Sequence, residues 1–161
     1  MKKIRHFIPI LLSLLFFSYR AAPYSFTLVV LESYTFITSG NPATLTVNIP
    51  ESGFSQATDS STTYSITSNK SQNKSLKITG AITSGGNMPT NTSLTLRLGS
   101  SSGTSLGAIA LSTTSVDLVK NLPSLITETG IITYTFTVQN GWKIAAQNLS
   151  RAITLTLTSS N

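Results

Sequence analysis

The chain has 161 residues, 40% of them apolar and 10% charged, a formal net charge of +6 and no cysteine. That length suits one domain. The apolar share with so few charges excludes a disordered chain, and the lack of cysteine excludes disulfides, thiol catalysis and cysteine metal sites. The charge is not a nucleic-acid footprint. Lys2, Lys3, Arg5 and Arg20 fall in the first 22 residues, and the seven bases set against five acids in the remainder leave only +2.

In chain order, residues 1–22 read as a secretory signal peptide of bacterial type. Lys2, Lys3 and Arg5 form a positive start, and Phe7 to Phe17 form an apolar stretch of 11 residues. That stretch is shorter than the roughly 20 residues a spanning helix needs, so no transmembrane helix is expected after processing. Export to the periplasm, the cell surface or the medium follows, with residues 23–161 as a single domain.

Strand signals fill this mature part. Tyr24 to Leu31 is rich in β-branched and aromatic residues, with Phe26, Leu28 and Val30 on one side. Apolar residues then alternate with polar ones at Leu45, Val47 and Ile49, at Tyr64 and Ile66, and at Leu76 and Ile78. The same alternation recurs at Leu94, Leu96 and Leu98, at Ile132 to Val138, and at Ile153, Leu155 and Leu157. Period-two spacing puts one apolar face on each strand, with threonine keeping the other face wet. Turn chemistry separates the runs at Ser39–Pro42, Pro50–Gly53, Ser84–Asn87, Gly99–Gly103, Glu128–Gly130 and Asn140–Gly141. Ser55–Ser75 and Gly99–Gly107 read as exposed low-complexity loops. Ser115–Leu125 reads as a short helix or an irregular crossover.

One-faced strands need an apolar partner layer, and no long helical pattern supplies one. The expected fold is all-β: an immunoglobulin-like antiparallel β-sandwich of about seven to nine strands, preceded by the signal peptide.

The sequence offers no catalytic, metal or cofactor site. The one histidine, His6, lies in the leader, no G-x-S-x-G elbow, calcium loop or phosphate loop occurs, and the five acids are widely spaced. No enzyme is expected, and no cofactor. Four glycosylation-type triplets start at Asn69, Asn73, Asn91 and Asn148, as chance supplies in so Asn/Ser/Thr-rich a chain. Trp142, after the turn signal Asn140-Gly141 and near Lys143 and Gln147, could stack on a sugar ring or fold back onto the core.

Glu128-Thr129-Gly130-Ile131-Ile132-Thr133-Tyr134-Thr135-Phe136-Thr137-Val138, followed by Arg151 to Thr158, resembles the closing hairpin of small secreted fimbrial-type and spore-coat-U-like domains. Thr63–Thr67 and Leu94–Leu98 suit the same pattern. The resemblance implies an immunoglobulin-like sandwich that builds pili, coats or adhesive surfaces and carries no active-site residues. Many such pilins have a disulfide and a tyrosine near the C-terminus, whereas this chain ends Thr158-Ser159-Ser160-Asn161. It reads as owning its last strand, so it need not borrow one.

The expected function is therefore an exported structural or adhesive subunit, self-associating or joining other surface subunits through sheet edges. Phe26, Leu28 and Val30 are the candidate donor-strand residues. The alternative is a carbohydrate- or host-binding module in which Trp142, Lys143 and Gln147 touch a glycan.

Overall fold

Threonine-spaced aliphatic runs form strands because β-branched side chains fit a pleated surface that is half buried. A computed structural model describes residues 33–69, 74–139 and 147–160, all within the compact unit Glu32–Asn161. The strands are β1 (Tyr34–Ser39), β2 (Phe54–Asn69), β3 (Leu76–Ser84), β4 (Thr92–Leu98), β5 (Thr104–Ser105), β6 (Ile109–Ala110), β7 (Val116–Leu122), β8 (Leu125–Gln139) and β9 (Ala152–Ser159). Among the described residues there is no helix, and so none long and apolar enough to cross a membrane.

Two antiparallel sheets form, ordered β1-β2-β8-β4-β6 and β5-β7-β3-β9. Tyr64, Ile66, Leu96, Leu98 and Ile132 of the first sheet meet Leu76, Ile78, Leu118, Leu122 and Leu157 of the second in one buried cluster. The expected all-β sandwich is the observed fold.

In the immunoglobulin pattern, strands A, B, E and D make one sheet and C, F and G the other. Taking β3, β4, β7 and β8 as B, C, E and F reproduces the inner pairs, β3 with β7 and β4 with β8. The flanks are exchanged. The long early strand β2 lies beside β8, where G would stand, and the last strand β9 lies beside β3, where A would stand.

Four local expectations change. Ser55 to Asn69 is not a loop. It belongs to β2, which pairs with β8 along its length around one bulge, where Ser60 and Ser61 stand between the paired residues Asp59 and Thr62. Asp59 braces that bulge by accepting hydrogen bonds from the Ser61 amide and hydroxyl, at 3.3 and 2.9 Å. Val116 to Leu122 is a strand, not a helix. Register shifts against β3 bring neighbouring Leu118 and Val119 both inward, fully buried, and so mimic helical spacing. Glu128-Thr129-Gly130 is the middle of β8, not a turn.

Thr44 to Ile49 keeps its alternation but joins no ladder. Leu45 and Val47 are half-buried, yet no backbone hydrogen bond ties 41–50 to a neighbouring strand among the described residues. The segment lies extended beside the space between the two sheets.

Candidate functional site

The sandwich is blunted on one side and open on the other. On the blunt side the sheets end in β5 and β6, two residues each, joined by a short turn. On the open side they end in β1 and β9, and a slot of mixed polar and apolar lining runs between these strands.

The slot has two adjoining cavities. The first, about 470 Å³, lies between Phe36 and Thr38 of β1 and Ile153 and Leu155 of β9, with Thr62 and Tyr134 at its floor. The second, about 480 Å³, runs under the segment 42–47, against Met88, Leu94, Phe136 and Ile153. Pro42, Tyr134, Arg151 and Ile153 line both. Burial pushes the Tyr134 phenol above its ordinary pKa, with the Thr62 hydroxyl opposing the rise and the Asp59 charge adding to it. Thr62 Oγ1 is buried with no hydrogen bond of good geometry.

Arg151 is placed by its loop. Its Nη1 donates to the Ser150 carbonyl at 2.8 Å and its Nη2 to the Asn87 carbonyl at 3.0 Å. Gly85, at φ +88°, leaves the room: a Cβ there would run into the Ser150 carbonyl and the Arg151 side chain. Nε is buried and has no acceptor among the described residues.

Among the described residues β9 closes the second sheet with an unblunted edge. Its eight residues carry no charge and no proline, the usual devices against edge pairing. Inward Ile153, Leu155 and Leu157 alternate with outward Thr154, Thr156 and Thr158.

A second cluster is architectural. Glu128, 4% exposed, accepts from the Tyr64 hydroxyl at 2.7 Å, the Ser102 amide at 2.8 Å and the Ser101 hydroxyl at 3.3 Å. The Tyr64 hydroxyl also lies 2.7 Å from the Gly99 carbonyl, so one hydrogen serves two oxygens. The carboxylate thereby pins loop 99–103 to β2 and β8. Burial pulls the Glu128 pKa up, but the hydroxyls of Ser100, Tyr64 and Ser102 and the Ser102 amide pull it down further, and it ends below its ordinary value. Burial, with Glu128 beside it, pushes the Tyr64 phenol well up. A depressed carboxylate stabilises the fold above its unfolded pKa, and that share is lost as pH falls through the folded value. Glu128→Gln should cost about 1–2 kcal/mol at neutral pH. It should also flatten the fall in stability below about pH 4.5, the ordinary glutamate value, as urea titrations at several pH values would record.

On the solvent face of the second sheet, Asp117 pairs with Lys77 at 3.0 Å and Lys120 at 3.1 Å. Lys77 chiefly holds its carboxyl below the ordinary range, with Lys120 assisting. Exposed pairs of this kind contribute little. No group of three or more potential metal ligands forms among the described residues.

Of the residues singled out from sequence, only Gln147 is described: it is exposed and lines the second cavity. Trp142 and Lys143 lie outside the described residues, as do Phe26, Leu28, Val30 and the leader. The sequence reading missed Arg151 and Glu128. A single arginine ahead of a strand carries no signal by itself, and Glu128 sat in what read as a turn. No family model and no curated protein matches the chain.

Proposed function

We propose that the chain is an exported, non-catalytic surface subunit of structural or adhesive type, which associates through its sheet edges. The observation that carries this reading is the outer edge of β9. An uncharged strand edge of eight residues, unpaired among the described residues, offers its N–H and C=O groups to another strand. The simplest assembly pairs β9 with β9 of a second copy about a two-fold axis, so each sheet extends the other.

Like charges placed across such a pair repel. Thr154→Lys with Thr156→Lys puts lysines on the solvent face of the edge and leaves the inward Ile153, Leu155 and Leu157 in place. Sedimentation velocity over a range of concentrations should show the unaltered chain associating and the double variant monomeric, with near-equal melting temperatures. A chain that stays monomeric throughout, or a variant that associates equally well, would overturn the reading.

A further inference from the structure

The β9 edge leaves the slot beside it unexplained. Arg151 stands where the two cavities meet, with no carboxylate partner among the described residues. A guanidinium carries five N–H donors. Two hydrogen bonds go to the Ser150 and Asn87 carbonyls, and the Nε–H, closed off from the cavities, has no acceptor among the described residues. Nη1 and Nη2 each keep a second N–H, and a ligand carboxylate would accept from these.

The walls say what else the ligand holds. Among the described residues neither cavity is lined by an acid or by a second base, so the site suits a single negative charge. The second cavity has Leu45, Val47, Leu94 and Phe136 in its lining, with Thr44, Thr46, Gln147 and Asn148 also lining it. Apolar walls converging on one charged group, in a volume within the usual range for small-molecule sites, are the marks of a ligand cleft.

We propose that the slot binds a long-chain carboxylate, a single-chain anionic amphiphile. Its head group takes the remaining Nη–H donors of Arg151 in the paired geometry that guanidinium and carboxylate share. Its alkyl chain lies along Leu45, Val47, Leu94 and Phe136, between the extended segment 42–47 and the sheet. Removing this apolar surface from water drives binding, and Arg151 selects the head group. The inference does not rest on pairing at the β9 edge and stands if the chain proves monomeric.

The test titrates the full chain with dodecanoate and dodecyltrimethylammonium, each below its micelle concentration, and with dodecanol below its solubility limit, by calorimetry. Dodecanoate should bind at one site, and dodecanol and the cation at least about tenfold more weakly, as loss of a charge-assisted hydrogen bond implies. Arg151→Gln should weaken dodecanoate by about the same factor and bring it level with dodecanol. Leu94→Trp, which fills the alkyl path, should weaken both. Equal affinity for acid and alcohol, full affinity in a folded Arg151→Gln, or no binding of any of the three would overturn the proposal. So would binding of a synthetic 24–31 peptide alone, which would make a strand the occupant. If Arg151→Gln does not fold, the head-group series on the unaltered chain decides.

Discussion

Ile78→Ala is expected to cost about 3 kcal/mol, within the ~2–5 range for emptying a buried aliphatic site. Ile78 is fully buried on β3, the strand flanked by β7 and β9, opposite Val119 on one side and Leu157 on the other. Both flanking strands use it as a packing partner, so no neighbour can move into the space without losing its own ladder. The control is Leu125→Ala. Leu125 opens β8 and is 74% exposed, so its truncation should change stability by less than about 0.5 kcal/mol. Urea unfolding of both variants reads the contrast directly. Equal shifts would mean that the shared interior does not hold the two sheets together.

That contrast marks how much of the fold could be read from sequence. Leu94, Leu96 and Leu98 alternate without interruption, and they point inward as period two requires, Leu94 half-buried and Leu96 and Leu98 fully buried. Ile153, Leu155 and Leu157 behave the same way on β9. Where the backbone departs from ideal pleating, the pattern misleads. Bulging on β7 turns adjacent Leu118 and Val119 to the same face, and the spacing then looks helical. Period two also reports a half-buried extended chain and not a ladder, which is why Thr44 to Ile49 resembles a strand and pairs with none. Long-range topology is less visible still. Nothing in the alternation of β2 or β9 says which inner strand each will flank.

The candidate site was almost unreadable for a related reason. Arg151 matters because residues from three distant stretches surround it: Gly85 and Asn87 from one loop, Tyr134 from β8, and Pro42 from the extended segment. Their sequence separations exceed any local motif. Glu128 escaped notice because its partners, Tyr64 and Ser102, lie 64 and 26 residues away. In a sandwich, groups that meet across the interior come from non-neighbouring strands, so their chemistry is set by register.

Gly130→Ala should be comparably severe, at about 3 kcal/mol or more, because the clash would be with backbone as well as with a ring. Gly130 stands opposite Tyr64 across the β2–β8 ladder. A Cβ at this position would drive into the Gly99 carbonyl oxygen and the Tyr64 ring. The ring cannot retreat, since its hydroxyl is held by Gly99 and Glu128 and the side chain is 1% exposed. The glycine in Glu128-Thr129-Gly130 thus serves close approach between strands, one of the uses of glycine inside a sheet. Gly99→Ala is the paired control at the same junction. Its Cβ would come no nearer than 3.8 Å to the Ile131 carbonyl, so the change should be neutral or stabilising by about 0.4–1 kcal/mol. In the double variant Tyr64→Ala with Gly130→Ala, the ring clash disappears and the Gly99 clash stays. The combined loss should therefore fall short of the sum of the two single losses. Strict additivity would show that ring and glycine do not meet, and the pinning of loop 99–103 by Tyr64 and Glu128 would have to be abandoned with it.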